Sequence, residues 1–512
     1  MRSTLRLRST ALFVLVLALY GLLAFWQART GYAWSNEAWF ADPALNLLNK
    51  GFMGTTILES KGTWMDGIER RTYWVPPVHL LVQAAWYQLF GFSLFSLRSI
   101  SILAGAAALL GWYVVVSNLS ENRTVALLAV GFIATDSHFI TYASLGRPDM
   151  LCAALGSLAF AAYLNYRNRS LLTAILCAHG LAAASCLTHP CGLLYAAGLV
   201  LLMVYFDRRR LRWLDFAGAA MPYLAGLAAW SVYILQAPSQ FVHQFTGNIS
   251  GIASEFTSSS RFSDLASPLR ALKREFFLRY GSNFGWYQTG FAIRAPLFVL
   301  LVYSLAVAAA LFAPRIRNHS GYRALLLLGS LDFVVMALFD GLKGSAYLVH
   351  TLPLCASLLA ICIHVWTTAW TKPLARIPLA AILTVFGGVQ FGTLLHDLLD
   401  QPQRQDYQAA LDFLRRAKAP GQIIAAGEFA FDLGFDSGLV DDPRLGYFSG
   451  RRPSFIVASS IYRGWFERSA VLYPDIHRYL VQLLDHDYRV AFHNSSYTVY
   501  VTLHQISNHG RG

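Results

Sequence analysis

The chain has 512 residues, of which 55% are hydrophobic and 13% are charged, and its mean hydropathy is +0.43. Soluble globular proteins carry about 25% charged residues, so the composition excludes an ordinary soluble enzyme and also a disordered or collagen-like chain. The formal net charge of +13 is more typical of basic cytoplasmic loops and contact with anionic lipid head groups than of nucleic-acid binding.

Eleven apolar runs are long enough for helices that cross a bilayer, because a hydrocarbon core of about 30 Å needs about 20 apolar residues. They lie at 11–28, 98–117, 124–141, 150–166, 171–188, 191–206, 214–235, 295–313, 324–341, 345–369 and 377–397. Arg2, Arg6 and Arg8 precede the first run, and no convincing small-residue cleavage site follows it. We therefore interpret the first run as an uncleaved helix with a cytoplasmic N-terminus.

A twelfth apolar segment, 76–90, is short and begins with two prolines. Short basic loops of membrane proteins lie on the cytoplasmic side. Five such loops fall on that side together only if segment 76–90 does not cross the membrane: Asn118–Arg123, Arg167–Arg169, Arg208–Arg212, Arg315–Arg323 and Lys372–Arg376. We therefore predict eleven spans and a surface helix at 76–90, with a polar stripe of His79, Gln83 and Tyr87.

The same topology places two long loops, 29–97 and 236–294, on the external face together with the C-terminal tail. Within the second loop, four apolar residues recur at helical spacing with basic residues between them, which indicates an amphipathic helix at the membrane interface. These apolar residues are Leu265, Leu269, Leu272 and Phe276, and the basic residues are Arg270, Lys273, Arg274 and Arg279.

The tail is more polar than the rest of the chain and shows mixed periodicity. Helices are predicted at Gln405–Lys418 and Asp475–Leu484, and strands at Gln422–Ala426, Ser454–Ala458, Tyr488–Asn494 and Tyr497–Leu503. The predicted fold class is therefore mainly α. A polytopic membrane domain of about eleven transmembrane helices, 1–397, precedes a small external α/β domain, 398–512.

Charged groups beside hydrocarbon are costly and usually functional, and the predicted external helix ends collect many of them. They are Glu37, Asp42, Arg147, Asp149, His189, Lys343, Tyr347 and His350. A carboxylate at this boundary can deprotonate an attacking hydroxyl, and Arg, Lys or His can stabilise a departing phosphate. The pattern favours a membrane-embedded donor with a phosphate leaving group, whereas no nucleotide-binding motif stands in a strand–helix context.

Several segments resemble the GT-C glycosyltransferase superfamily, in the branch that includes bacterial protein O-mannosyltransferases, lipid A aminoarabinose transferases and rhizobial galacturonosyl transferases. The matching pieces are Asn36-Glu37 through Gly51, Pro76-Pro77 through Leu89-Phe90-Gly91, Arg98 with Ser99 and Ser101, Arg147-Pro148-Asp149, Thr188 through Gly192, and Tyr347 through Pro353. Together they extend over residues 10–400, so the resemblance covers the membrane region and implies a GT-C-like fold.

The resemblance implies a polyprenyl-phosphate-linked sugar donor, inversion at the anomeric carbon and transfer on the external face. The superfamily usually has an Asp-Glu pair in the first loop, with an acidic residue proposed as catalytic base. Here Asn36 replaces the first member, so Glu37 and Asp42 are both candidates for the base. The candidates for binding the donor phosphate and substrate are Arg71, Arg147, Asp149, His189, Lys343 and Tyr347. No metal site is predicted, and no cofactor or divalent metal is required.

These features predict an integral glycosyltransferase of the bacterial inner (plasma) membrane. It would transfer a sugar to an external hydroxyl of an envelope lipid, glycan or protein, with no nucleic-acid partner. A transporter or lipid flippase is an alternative, although it should show repeated halves and ionisable groups near the bilayer midplane. A non-catalytic scaffold is a second alternative, which Asn36 keeps open.

Structural interpretations of the same residues also stay open. Glu37 is in a position to cap a helix, Arg147 and Asp149 can form a structural ion pair, and His189 can bond backbone at a helix end. In the tail, the pair Asp441-Asp442 before Pro443 predicts a turn rather than a metal site.

Overall fold

Every apolar run predicted from the sequence is mainly helical in the computed structural model, which describes residues 2–256, 263–288, 294–369, 373–399, 402–417 and 422–503. The helices of the first half are α1 (Arg2–Thr30), α2 (Ser35–Lys50), α3 (Pro77–Phe90), α4 (Leu94–Ser120), α5 (Arg123–Ala134), α6 (Ser137–Ala143), α7 (Pro148–Tyr166), α8 (Leu171–Cys186), α9 (Gly192–Asp207), α10 (Trp213–Ile234) and α11 (Pro238–Phe256).

The second half completes the helical bundle and adds a sheet. Its helices are α12 (Pro268–Arg274, continued by the π-helical turn Glu275–Gly281), α13 (Pro296–Phe312), α14 (Pro314–Arg317), α15 (Ser320–Phe339), α16 (Leu348–Ala369), α17 (Ile377–Leu399), α18 (Pro402–Arg416), α19 (Ala430–Leu433), α20 (Ser460–Leu472) and α21 (Pro474–His486). The strands are β1 (Ile423–Ala425), β2 (Leu439–Val440), β3 (Phe455–Ser459), β4 (Tyr488–His493) and β5 (Tyr497–Thr502). Parts of the predicted second loop, 257–262 and 289–293, and the end of the tail, 504–512, lie outside the described residues.

Six of the described helices are long and apolar enough to cross a membrane, or seven if the bent pair α5 and α6 counts as one span. Helices α8, α9 and α13 are apolar but have only 16, 16 and 17 residues. The chain is therefore a polytopic membrane protein, while the count of eleven spans stays a prediction.

The predicted run 124–141 is not one straight helix but two helices, α5 and α6, bent by 66°. Asp136 causes the break, because its side chain accepts a hydrogen bond from the backbone N–H of Phe139 at 3.1 Å and so caps the start of α6. An Asp N-cap requires extended backbone at its own position, which interrupts the helical run.

Four of the five predicted cytoplasmic loops lie at one end of the bundle. The side chain of Asn118 donates to Asn165 at 3.0 Å, and the hydroxyl of Tyr205 donates to the carbonyl oxygen of Ser320 at 3.1 Å. These contacts join the loops that follow α4, α7, α9 and α14 at what we call the basic end. The opposite end carries α2, α3 and the tail, and we call it the loop end.

Helix α3 has 14 residues, too few to span a bilayer, as expected. Its polar stripe does not form an outer surface, however: His79, Gln83 and Tyr87 are buried, whereas Leu81 and Phe90 are 50% and 64% exposed. The exposed side of α3 is thus apolar, and its polar side faces a polar interior at the loop end.

The predicted amphipathic helix of the second loop is present as α12 and its π-helical continuation. Leu265 and Leu269 are exposed, as a membrane-facing side requires. The charged side is solvated only in part, because Arg270 and Lys273 are exposed whereas Glu275 and Arg279 are fully buried against the bundle. The sequence pattern therefore located the helix but not the role of its buried charges.

The tail folds as a mixed five-stranded sheet in the order β2-β1-β3-β5-β4, between helices on both faces. Strand β1 pairs in parallel with β2 and β3, while β5 pairs antiparallel with β3 and β4. Helix α18 packs on one face of the sheet, and α20 and α21 pack on the other. The predicted strands and helices are present, and β2, α19 and α20 were not anticipated.

Candidate active site

The start of α7 positions an arginine and a carboxylate at the loop end. Pro148 occupies the first helical position, where its missing N–H costs nothing, so Arg147 and Asp149 flank the helix start. The guanidinium of Arg147 donates to the carboxylate of Asp149 at 2.9 Å and lies 5.7 Å from the ring centre of Phe40. The ion pair foreseen for these two residues is therefore present.

Three histidines surround this pair, and together we call the five residues the loop-end cluster: His79, Arg147, Asp149, His189 and His350. The carboxylate of Asp149 interacts electrostatically with His189 and His350 as well as with His79. The ring of His189 lies 5.3 Å from that of Tyr347. The structure therefore brings together four of the predicted site residues, Arg147, Asp149, His189 and Tyr347.

Several buried polar atoms around the cluster have no hydrogen-bond partner among the described residues. They are Nδ1 of His79, Oε1 of Gln83, Oδ1 of Asp149 and Nε2 of His350. A buried polar atom without a partner costs free energy, and such atoms are few in native proteins. Their concentration here indicates a site for a polar ligand. Burial also lowers the pKa of His79 to about 3, so this histidine is neutral at pH 7 and serves as a hydrogen-bonding group.

Lys343 lies near the same end but is engaged with the protein. Its ammonium group lies 3.2 Å from the carboxylate of Glu275 and donates to the carbonyl oxygen of Ala337 at 2.6 Å. A cation at the C-terminus of α15 complements the helix dipole. These contacts give Lys343 a capping role, and its contact with a donor phosphate stays a prediction.

Arg71 is not brought to the loop-end cluster. Its Nε donates to the side-chain oxygen of Gln236 at 3.3 Å, just beyond the end of α10. The first loop and the start of the second loop are joined by this contact, and a role of Arg71 in donor binding stays a prediction.

Glu37, one of two predicted bases, is fully buried and forms a two-pronged ion pair with Arg98, with distances of 2.8 Å to Nε and 2.7 Å to Nη2. Its carboxylate also accepts from the backbone N–H groups of Trp34 at 2.9 Å and Gly146 at 2.7 Å. The first of these contacts caps α2. Glu37 therefore connects α2 to α4 and to the loop before α7.

Asp42, the other predicted base, holds the first loop in shape. Its carboxylate accepts hydrogen bonds from the backbone N–H groups of Thr56 and Ile57 and from the side chain of Asn46. Burial raises the pKa of Asp42 to about 6, even though these hydrogen bonds oppose the shift. Either carboxylate must give up one of these contacts to serve as a base, so the catalytic role of both stays a prediction.

A cavity of about 530 Å³ lies between the first loop and the tail, and we call it the interface cavity. It is lined by Trp34, Asn36, Trp39, Trp64, Trp74 and Trp465, and by the carboxylates Glu59, Glu428 and Asp441. Burial raises the pKa of Glu428 to about 7 and that of Asp441 to about 6. The sequence did not predict a cavity lined by these tail carboxylates.

Of the pair Asp441-Asp442, which was predicted to form a turn, only Asp442 does so. The Asp442 carboxylate accepts from the backbone N–H groups of Arg444 and Gly446, which forms the predicted turn. Asp441 instead reaches the first loop, where it accepts from Nε1 of Trp39 at 2.9 Å.

One protein family model matches the chain. Its description is dolichyl-phosphate-mannose-protein mannosyltransferase, and it matches residues 75–235, which include His79, Arg147, Asp149 and His189. No curated protein sequence matches the chain.

The fold is similar to those of solved membrane proteins. ArnT from Cupriavidus metallidurans bound to undecaprenyl phosphate has a TM-score of 0.57 at 13% identity, covering 95% of this chain and 97% of that one. The apo oligosaccharyltransferase of Archaeoglobus fulgidus has a TM-score of 0.56 at 11% identity, with 94% and 69% covered.

The oligosaccharyltransferase AglB from Archaeoglobus fulgidus, in complex with an inhibitory peptide and a dolichol-phosphate, has a TM-score of 0.50 at 11% identity, with 87% and 69% covered. At such identities the likeness establishes the fold. The chain has the GT-C fold, so the resemblance predicted from its sequence is confirmed.

Proposed function

We propose that the protein is a membrane glycosyltransferase that moves a sugar from a polyprenyl-phosphate donor to an acceptor hydroxyl. The observation that carries this proposal is the set of unpartnered buried polar atoms around the guanidinium of Arg147. A phosphate with a sugar attached supplies both acceptors and donors for such atoms. The solved structures with this fold include one bound to undecaprenyl phosphate and one bound to a dolichol-phosphate.

The residues of the loop-end cluster have separable roles in this proposal. Arg147 binds the donor phosphate, and Asp149 holds its guanidinium in place through their 2.9 Å hydrogen bond. The neutral His79 and the side chain of Gln83 hydrogen-bond the sugar or phosphate. His189 and Tyr347 form the opposite wall.

The reaction is a single displacement. The acceptor oxygen bonds to the anomeric carbon from the side opposite the phosphate, and the bond between that carbon and the phosphate oxygen breaks. The electron pair leaves with the phosphate, whose charge Arg147 stabilises. One displacement inverts the anomeric centre. Glu37 and Asp42 are the proposed acceptors of the hydroxyl proton, each on release of one first-loop contact.

We place the loop end on the external side of a bacterial inner membrane. Support comes from the basic loops, which meet at the opposite end of the bundle, because short basic loops face the cytoplasm. The acceptor, an envelope lipid, glycan or protein, then approaches from outside.

Neutralising the Arg147–Asp149 pair should weaken donor binding. The double variant Arg147→Gln with Asp149→Asn removes both charges but keeps a polar pair, so the fold is preserved better than with Ala. Hydrogen bonds to charged groups contribute about 1.5–3 kcal/mol, so we expect at least about a tenfold loss of affinity for undecaprenyl phosphate. The measurement is undecaprenyl phosphate binding by the full-length protein in nanodiscs.

The matched control is Arg210→Gln, since Arg210 forms a similar ion pair with Asp207 at the basic end, at 2.9 Å. We expect this control to bind like the wild type. Transfer is then followed with labelled mannose on undecaprenyl phosphate and an extract of bacterial envelopes as acceptor. Unchanged affinity in the double variant would contradict the assignment of the phosphate to this cluster.

A further inference from the structure

Two of the three carboxylates that line the interface cavity are already committed to fixed partners. Glu59 forms an ion pair with Arg451 at 2.9 Å. Asp441 accepts three hydrogen bonds of 2.7–2.9 Å, one of them from the hydroxyl of Tyr462. Both carboxylates therefore serve mainly to connect the tail with the first loop.

Glu428 differs from Glu59 and Asp441 because, within the described part of the chain, its side-chain partners are hydroxyl groups only. Its two carboxylate oxygens accept from the hydroxyls of Ser35 and Tyr497. The Tyr497 contact is long, at 3.2 Å. Hydroxyls can rotate and also accept hydrogen bonds, so a substrate hydroxyl can displace one of them without leaving a fixed N–H group unsatisfied.

The walls of the interface cavity match the chemistry of a sugar. Five tryptophans line it, and the indole N–H groups of Trp64 and Trp74 and the side-chain oxygen of Asn36 have no partner among the described residues. A sugar ring presents an apolar C–H face, which packs on an aromatic ring, and an equatorial belt of hydroxyls, which hydrogen-bond polar groups. The volume of about 530 Å³ lies within the range of small-molecule sites.

The interface cavity shares a wall with the loop-end cluster. Trp74, on the cavity side, stacks on Phe40 with ring centres 5.2 Å apart. The other neighbours of Phe40 are the guanidinium of Arg147 at 5.7 Å and the ring of His79 at 6.1 Å. The interface cavity and the loop-end cluster are therefore adjacent, and Phe40 and Trp74 lie at the boundary between them.

We propose that the interface cavity binds a saccharide unit of the acceptor and that Glu428 accepts the proton of its attacking hydroxyl. This inference rests on the proposed glycosyltransferase function, and it makes Glu428 of the tail the acceptor of the hydroxyl proton in place of Glu37 and Asp42. The hydroxyl proton passes to a carboxylate oxygen of Glu428 while the hydroxyl oxygen bonds to the anomeric carbon. The bond to the donor phosphate breaks with its electron pair, and the new carboxylic acid later loses its proton to water.

The electrostatics of Glu428 suit this role. Burial raises its pKa to about 7, and a base with a pKa near the working pH is the most effective. The titratable groups that face it are Tyr32, Tyr407, Asp441 and Tyr497. Because Glu428 acts as a base only when ionised, the transfer rate should rise with pH through about 7.

The test is Glu428→Gln in the full-length protein in nanodiscs. Transfer of labelled mannose from undecaprenyl phosphate to saccharide fractions of an envelope extract should fall about 100-fold or more in kcat, since general bases contribute about 10²–10⁴-fold. The rise of rate with pH should disappear as well. Affinity for undecaprenyl phosphate should match that of the wild type, because the loop-end cluster is unchanged in this variant.

Two further variants test whether Glu428 acts as a base or only holds the tail against the first loop. Asp436→Asn removes an exposed ion pair of 2.7 Å between Lys50 of α2 and the tail, outside the cavity, and should transfer normally. Glu428→Ala should regain transfer when azide or formate is added, because a small anion can replace the missing carboxylate.

Three results would overturn the inference while leaving the proposed function intact. They are a wild-type kcat in Glu428→Gln, a slow Glu428→Ala that no added anion rescues, and label that enters peptide but not saccharide fractions. A wild-type protein that neither binds undecaprenyl phosphate nor transfers sugar would instead overturn the proposed function, and this inference with it.

Discussion

Replacing Arg98 with Ala should lower the free energy of unfolding by about 3–5 kcal/mol, the cost of breaking a buried ion pair from one side. Arg98 and Glu37 are 1% and 0% exposed. The same guanidinium also donates to the backbone carbonyl oxygens of Ala28, Gly31 and Tyr32 at 2.7–2.9 Å. Without Arg98, the carboxylate of Glu37 stays buried and the end of α1 loses its connection to α4.

Denaturant unfolding of the full-length protein in micelles measures this effect. The control is Arg123→Ala, an exposed arginine at the start of α5, which should change stability by less than about 0.5 kcal/mol. Adding Glu37→Gln to Arg98→Ala should recover part of the loss, because it removes the unpaired buried charge. A loss below about 1 kcal/mol in Arg98→Ala would contradict the structural role given to this pair.

Replacing Arg279 with Ala should have an effect of similar size, about 3–5 kcal/mol. Arg279 is fully buried between the carboxylates of Glu275 and Asp340, the latter at 2.7 Å. It also donates to the carbonyl oxygen of Gly344 at 2.6 Å and lies 5.6 Å from the ring centre of Tyr347. Its loss leaves two buried carboxylates facing each other across the gap.

The same unfolding measurement tests Arg279→Ala, with the exposed Arg270 of α12 as its matched control. Arg270→Ala should be nearly neutral, because its side chain is already in solvent or lipid head groups. Arg279→Met tests whether charge or volume matters, since Met restores much of the apolar stem but not the charge. Equal stability of Arg279→Ala and Arg270→Ala would show that the buried charges are not what holds α12 to α15.

The helices could be predicted because the length of an apolar run is a local property of the sequence. The bend at Asp136 was not predicted, although Thr135-Asp136-Ser137 is a local signal for the start of a helix. Strand β2 has two residues, too few for any periodicity. The polar stripe of α3 was located correctly, but whether it faces water or protein depends on what packs beneath it.

The candidate site was predictable only in part, for a similar reason. Arg147, Asp149 and His189 carry recognisable local motifs, and the structure brings them together. The pairing of Glu37 with Arg98 was not foreseen, although both residues lay in matching segments. Nothing local connects Glu428 or the other tail carboxylates to α2, because those contacts join opposite ends of the chain.

The contacts between α2 and the tail have a consequence for the order in which the molecule is made. Ser35 meets Glu428 across 393 residues of sequence, and Trp39 meets Asp441 across 402. At a synthesis rate of about 5–20 residues per second, about 20–80 s pass between the synthesis of α2 and the synthesis of its partners in the tail. The first loop is thus among the earliest segments to be inserted and the last to complete its folding. In a chain that is released before the tail is finished, the carboxylates and tryptophans that the tail would bury stay exposed and can be recognised by cellular quality control.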